Sequence, residues 1–207
     1  EDQVSEVLSS TGLAFEYMEG FFGEYPYESY GHVVTPLSGG ALETQTMTAL
    51  SRNIAQSDGE EQLFTLIVHE LAHHWYGNLV ALGSWEDIWL NEGFATYAEW
   101  LALEERYGDI QELAVEASRR RTPLAYPLPN QMFGSDSYMK GAWVLHMLRN
   151  QLGDDVFFEL MQAWASQYAD KSVTTLDFFR LAEQISNRDL TRFRRQWLET
   201  SGVPTYV

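Results

Sequence analysis

The chain has 207 residues, of which 45% are hydrophobic and 14% aromatic, and this composition is sufficient for one compact domain with a buried core. A net charge of −17 argues against a nucleic-acid partner, because phosphate binding needs clustered Lys and Arg, and the lack of cysteine excludes disulfides, thiolate metal sites and cysteine nucleophiles. No apolar run reaches the roughly 18 residues of a membrane span and no signal sequence is evident, so the compartment stays unknown.

The first part of the chain is predicted to combine one helix with a small sheet. Apolar side chains recur at helical spacing over residues 4–22, and Gly23 ends the pattern. Over residues 25–50, tyrosine, valine and threonine alternate with polar residues between prolines and glycines, which is typical of short strands and turns. The two strands predicted there cover residues 32–37 and 42–49.

Two long helices are predicted next. Ser57 and Glu60 have the spacing of a capping box, which opens a helix through LFTLIVHELAHHWY that stops at Gly77 and the following asparagine. The second long helix is predicted over residues 91–107, and Gly108 after it is a typical helix-ending residue.

Helical periodicity also dominates the remainder of the chain. Further helices are predicted near residues 109–120, 139–151, 154–169, 175–186 and 189–199, with a proline-rich connection at 122–134. The predicted fold class is therefore α+β. We expect a single domain over residues 1–207, with a β-containing lobe at about 1–80 and a mainly helical lobe at about 81–207.

The segment His69-Glu70-Leu71-Ala72-His73 matches the pattern HExxH on a predicted helix. Because residues four apart lie one turn apart on the same face, both imidazoles can bind one ion. Glu70 lies beside the metal rather than on it, and a carboxylate there can take a proton from the metal-bound water. The alternative is that these are ordinary polar residues of an amphipathic helix.

Glu92, in WLNEGFATY, follows His73 after 18 intervening residues. That interval is long enough for a turn and the start of the next helix, which can return a carboxylate to the metal-facing side of the first helix. Hydrolytic zinc sites usually have three protein ligands and a water, whereas structural sites have four protein ligands. The predicted ligands are therefore His69, His73 and Glu92. Two imidazoles favour zinc over calcium or magnesium, so the predicted cofactor is one Zn²⁺ per chain.

Four motifs, in order and spacing, resemble those of the gluzincin aminopeptidases, the group that contains aminopeptidase N and the leukotriene-hydrolase-type enzymes. They are GGALET at residues 39–44, HELAHHWYGNLV at 69–80, WEDIWLNEGFATY at 85–97 and YMKGA at 138–142. The resemblance implies a thermolysin-like zincin catalytic domain. It also implies peptide substrates with a free N-terminus.

The GALET segment resembles the family signature GAMEN, whose Glu binds the free α-amine of the substrate. The resemblance therefore implies that Gly40, Ala41 and Glu43 bind substrate. The sequence has Leu42 and Thr44 where the family usually has Met and Asn. Apart from the resemblance, an exopeptidase needs an anion at a fixed distance from the attacking water to recognise a charged amine. Without the resemblance, Glu43 reads as an exposed strand carboxylate.

Tyr138 in YMKGA resembles the family's catalytic tyrosine, which donates a hydrogen bond to the oxyanion, although a Tyr at a helix start more often serves packing. Asp87, Asn91 and Thr96 flank the third ligand. They are candidate supports, because ligand imidazoles usually donate their second N–H to a carboxylate or carbonyl. The remaining histidines are predicted to be structural: His32, His74 and His146.

The predicted function is that of a zinc-dependent aminopeptidase. The alternatives are a thermolysin-like endopeptidase, which shares the zinc chemistry but needs no amine anchor, epoxide hydrolysis as in the leukotriene-hydrolase branch, and a non-catalytic scaffold of the same fold. The polar opening EDQVSEV fits an excised domain as well as a whole protein. The resemblance implies flanking domains, one β-rich and one helical, that help to close the substrate cavity.

Overall fold

The computed structural model describes residues 2–55 and 59–202. The strands are β1 (Gly31–Thr35), β2 (Ala41–Leu42), β3 (Met47–Ser51), β4 (Val80–Leu82) and β5 (Lys171–Val173). The α-helices are α1 (Asp2–Phe22), α2 (Arg52–Ala55), α3 (Glu60–Ala72), α4 (Trp89–Tyr107), α5 (Gln111–Ala117), α6 (Gly141–Leu152), α7 (Asp154–Gln167), α8 (Thr175–Ser186) and α9 (Thr191–Arg194). A 3₁₀ turn covers Trp85–Asp87, and π-helical turns cover Asp136–Lys140 and Arg195–Glu199.

A three-stranded sheet follows α1. Its central strand β3 pairs in parallel with β1 and antiparallel with β2. The strand predicted at 32–37 corresponds to β1, which ends before Pro36 because proline has no N–H for the ladder. The single strand predicted at 42–49 is wrong, because a turn separates β2 from β3. Thr46 in that turn has a left-handed φ of 65°, which interrupts an extended chain.

The helix that carries HExxH is shorter than predicted. The predicted cap Ser57 lies outside the described residues, and the residue before α3 is Gly59, which has no capping side chain. The helix ends at Ala72 instead of Gly77. After Ala72 the chain turns out of the helical path. The N–H of Asn78 bonds to the carbonyl of His73 across this turn.

Helix α4 is confirmed, since it covers Trp89–Tyr107. Gly108 follows it with a left-handed φ of 81°, which suits glycine at a helix end. Most of α4 from Trp89 to Ala102 is buried. Helix α4 packs against α3 and α6, and α1 packs against α3 and α7. One contiguous cluster of buried apolar side chains extends from Ala14 to Leu198. Helices α3 and α4, which carry predicted site residues, therefore form part of this core.

Strands β4 and β5 form a second, parallel sheet with Val80 opposite Lys171. Neither strand was predicted, because three residues are too few to display an alternating pattern. Two small sheets occur beside a larger number of helices in the described part of the chain, so the α+β class is confirmed. None of the described helices combines the length and apolarity that crossing a bilayer requires.

Candidate metal centre

Helix α3 carries His69 and Glu70 in its buried last turn, and His73 is the residue that caps its C-terminal end. The imidazoles of His69 and His73 lie on the same side of the helix, with ring centroids 4.8 Å apart and planes at 80°. This orientation follows from the spacing of four residues, because one helical turn brings such side chains to the same face. The two rings therefore converge on one point beside the helix.

Helix α4 brings Glu92 to the same point. Its Oε2 lies 3.4 Å from Nε2 of His69 and 3.4 Å from Nε2 of His73. One ligand atom from each of the three residues lies within 4.8 Å of the others. In a tetrahedral zinc site with bonds of 2.0–2.1 Å, neighbouring ligand atoms stand about 3.3–3.5 Å apart. The three side chains thus have the chemistry of a zinc site, and the two separations from Glu92 match tetrahedral coordination.

The charges of these groups also favour a cation. Burial works against an ionised Glu92, but the neighbouring His69 and His73 lower the pKa of Glu92 to about 2. Burial likewise disfavours a charged His69, yet the carboxylates of Glu92 and Glu99 raise its pKa above the usual range. The carboxylate ligand is therefore ionised at neutral pH, and the surroundings stabilise positive charge between the three side chains.

Each ligand imidazole is held through its other nitrogen. Nδ1 of His69 lies 2.7 Å from Oε1 of Glu99, and Nδ1 of His73 lies 3.2 Å from the carbonyl oxygen of Tyr76. Both contacts favour a proton on Nδ1, which leaves the lone pair of Nε2 directed at the ion position. Sequence reasoning missed Glu99. It lies seven residues after Glu92, two helical turns away on the same face, and that spacing could have identified it.

The side chains that the sequence suggested as supports are not the groups that contact Nδ1 of His69 and His73. Asp87 accepts hydrogen bonds from the backbone N–H and the hydroxyl of Thr175 at the start of α8. Among the described residues, no side-chain hydrogen bond joins Asn91 or Thr96 to a predicted ligand, and the buried hydroxyl of Thr96 has no hydrogen-bond partner. The prediction for these three residues is therefore wrong, because closeness in sequence to Glu92 does not place a side chain behind an imidazole.

Replacing Glu99 with Gln is expected to weaken zinc binding by roughly 10- to 100-fold, because an amide holds the His69 imidazole without the negative charge. Zinc affinity is measured by competition with a chelator of known affinity. The control is Glu105→Gln, which changes an exposed carboxylate on the same helix. Wild-type zinc affinity in a folded Glu99→Gln variant would contradict this role of Glu99.

Glu70 lies beside the predicted ligands. Its side chain is only 5% exposed, and its Oε2 is buried with no hydrogen-bond partner among the described residues. Burial raises the pKa of Glu70 to about 7, so its carboxylate is a stronger base than an exposed one. A buried carboxylate oxygen without a protein partner is available to a water or substrate group at the centre.

Tyr138 lies in the π-helical turn that leads into α6. Its ring stacks on His69, with centroids 6.0 Å apart and planes at 15°. Burial and the nearby carboxylate of Glu92 raise the pKa of Tyr138, so the phenol keeps its proton and can donate a hydrogen bond. Lys140 in the same turn is fully buried and donates from Nζ to the carbonyl of Thr122.

All eight predicted site residues line one open cavity of about 410 Å³. They are Gly40, Ala41, Glu43, His69, Glu70, His73, Glu92 and Tyr138, and the other lining residues are Gln62, Thr65, Leu66 and Glu99. Four carboxylates and no Lys or Arg are among these described lining residues. The cavity therefore favours positively charged groups. His32 and His146 are outside the lining.

The sequence matches the Peptidase family M1 domain over residues 7–197. It is 30% identical to aminopeptidase N of Homo sapiens, in an alignment that covers 88% of this chain and 22% of that protein. It is also 30% identical to aminopeptidase N of Streptomyces lividans, with 90% of this chain and 25% of that protein covered. The chain thus spans only 22% to 25% of the length of these curated relatives.

The fold is similar to that of solved M1 structures. The M1 zinc metallopeptidase from Deinococcus radiodurans superposes with a TM-score of 0.84 at 31% identity, over 95% of this chain and 45% of that one. A mutant of that enzyme has been solved bound to a Tyr-Ser-Ala substrate. Yeast LTA4 hydrolase in complex with bestatin has a TM-score of 0.80 over 95% of this chain and 35% of that one, but its 24% identity shows the fold alone.

Proposed function

Because this chain belongs to peptidase family M1 and has zinc as its cofactor, we propose that it is the catalytic domain of an aminopeptidase that removes N-terminal residues from peptides. One observation carries the proposal: Glu43 lines the same cavity as the zinc ligands and Glu70, so an amine anchor and the hydrolytic groups share one substrate site. The aminopeptidases among its relatives and the Tyr-Ser-Ala ligand of the solved neighbour support the same substrate class.

We propose that His69, His73 and Glu92 hold one zinc ion per chain, on the strength of their separations and of the carboxylate and carbonyl behind the two imidazoles. When bound there, zinc supplies a Lewis acid that polarises the scissile carbonyl and lowers the pKa of water. Three protein ligands would leave the ion open to water or substrate, as in hydrolytic zinc sites.

Each of the remaining groups of the site has a separate role in the proposed reaction. Glu70 takes the proton of the attacking water on its unpartnered Oε2 and gives it to the leaving amine. Tyr138, which keeps its phenolic proton, donates a hydrogen bond to the developing oxyanion, a contribution of about 3 kcal/mol. Glu43 binds the ammonium group of the substrate and thereby fixes which peptide bond reaches the zinc. Gly40 and Ala41 present their backbone to the substrate beside Glu43.

We also propose that residues 1–207 form a single catalytic domain, with a β-containing lobe at about 1–80 and a helical lobe at about 81–207. Support comes from the contiguous apolar core and from the family match over residues 7–197. Relatives four or more times longer support the view that flanking domains help to close the cavity.

Acetylating the substrate's amino group is expected to lower kcat/KM by on the order of 100-fold or more, because Glu43 then faces a neutral amide instead of an ammonium group. The measurement compares an aminoacyl-anilide with its N-acetyl form, using the protein that carries this domain. A Glu43→Gln variant should lose most of this preference. Equal cleavage of both substrates by the wild-type protein would indicate an endopeptidase of thermolysin type instead.

A further inference from the structure

The loop that presents Glu43 has an unusual backbone. This loop, residues 43–46, here called the amine loop, connects β2 to β3. The N–H of Met47, the first residue of β3, bonds to the carbonyl of Thr44 at 2.9 Å. Thr46 adopts a left-handed φ of 65°, which a β-branched residue seldom occupies. A conformation of this kind persists only where surrounding contacts hold it.

Two side chains from the segment after α3 hold the amine loop. Nδ2 of Asn78 donates to the carbonyl oxygen of Glu43 at 2.9 Å. The backbone N–H of Thr46 donates to Nε2 of His74 at 3.0 Å. The two bonds secure the first residue of the loop and its strained residue.

The other nitrogen of His74 reaches the helix of the zinc site. Nδ1 of His74 donates to the carbonyl oxygen of Glu70 at 3.1 Å. One imidazole therefore joins the backbone of the general base to the backbone of the loop that carries the amine anchor. A ring with a donor on one side and an acceptor on the other suits this bridge, because each end meets the opposite kind of group.

The orientation of His74 is fixed by its surroundings. The side chain is completely buried. Its ring packs edge-on against Tyr30, with centroids 5.0 Å apart, and Tyr25 and Tyr27 lie within 6 Å. Aromatic packing thus holds the imidazole in the plane that both hydrogen bonds need.

We infer that His74 is a positioning residue, which sets the distance between the Glu43 carboxylate and the zinc centre by bridging the amine loop to α3. The inference rests on the proposed role of Glu43 as the amine anchor. His74 touches no reacting atom. Its loss should therefore impair recognition of the free amine far more than zinc binding or the chemical step.

The test replaces His74 with Phe, which preserves the aromatic packing and removes both hydrogen bonds. We expect KM for an aminoacyl-anilide to rise roughly 10-fold or more, with zinc content and kcat close to wild type. The preference for the free over the N-acetylated substrate should fall by the same factor. Hydrogen exchange at the Thr46 N–H, measured without substrate, should become faster.

Two further variants separate positioning from packing. His74→Gln retains a donor and an acceptor, so it should restore most of the amine preference. His146→Phe changes a partly buried histidine packed between Tyr97 and Trp100, and it should leave the preference unchanged. Should His74→Phe fail to fold, Asn78→Leu removes the second loop contact with the aromatic cluster intact, and it should raise KM in the same way.

The possible outcomes distinguish the inference from the proposed function. If the wild-type protein cleaves both substrates equally, the proposed aminopeptidase function fails and the inference fails with it. If the wild-type protein prefers the free amine and both His74→Phe and Asn78→Leu keep that preference, the positioning role alone is overturned. If His74→Phe lowered the zinc content or kcat and left KM unchanged, the positioning role would also be overturned.

Discussion

Glu70→Gln should abolish peptide hydrolysis and leave zinc bound. The amide has the shape of the carboxylate but cannot accept a proton, and general-base catalysis is worth about 10²- to 10⁴-fold in rate. The predicted ligands are untouched by this change. Since Oε2 of Glu70 has no partner among the described residues, the substitution breaks no internal hydrogen bond of that atom. The measurement pairs metal analysis with kcat/KM for an aminoacyl-anilide.

The matched control is Glu61→Gln, an exposed carboxylate nearer the start of the same helix. It should retain wild-type activity and one zinc per chain. Activity within 10-fold of wild type in Glu70→Gln would show that another group is the base. A wild-type protein that binds no zinc would favour a non-catalytic scaffold.

The sequence predicted the parts of the centre that depend on local geometry. The separation of His69 from His73 equals one helical turn, so a single helix brings the two imidazoles together wherever that helix packs. Glu92 was predicted because the interval after His73 permits a return helix, and α4 supplies that helix. In both cases, helical periodicity carried the information.

The parts that were missed depend on contacts between distant segments. Glu99 lies on the same face of α4 as Glu92, which was a usable signal, but its contact with His69 also requires α4 to pack beside α3. The short strands β4 and β5 pair across some 90 residues of sequence. The turn at Thr46 was read as extended strand, because threonine favours strands and the contacts from His74 and Asn78 that hold it come from another element.

A further long-range contact links the motifs of Glu92 and Tyr138. Gly93 on α4 meets Gly141 at the start of α6, backbone against backbone. A Cβ on Gly93 would lie 2.8 Å from Cα of Gly141, and a Cβ on Gly141 would lie 2.7 Å from Cα of Gly93. Because both separations are shorter than Cβ contacts in proteins, the helices can approach this closely only with glycine at both positions. The crossing thereby fixes the distance between a predicted zinc ligand and the predicted oxyanion donor.

Gly141→Ala is therefore expected to destabilise the protein by about 1–3 kcal/mol, the usual effect of overpacking a rigid contact. The backbone of Gly141 is ordinary helix, with φ −57° and ψ −51°, so alanine meets no conformational penalty there and the loss is steric. As the helices separate, Tyr138 moves away from Glu92, and kcat should fall further than the zinc affinity. Urea denaturation gives the free energy of unfolding, and steady-state kinetics give kcat.

The control for this substitution should change stability in the opposite direction. Gly12 lies in α1, and apart from the neighbouring backbone of its own helix no described atom lies within 4 Å of where its Cβ would be. Gly12→Ala should therefore raise the free energy of unfolding by about 0.5–1 kcal/mol, because alanine favours the helix over the unfolded chain. Two glycine-to-alanine changes of opposite sign would show that the α4–α6 crossing is set by backbone contact. If Gly141→Ala stabilised the protein as Gly12→Ala does, the spacing of Glu92 and Tyr138 would have to come from other contacts, such as the stacking of Tyr138 on His69.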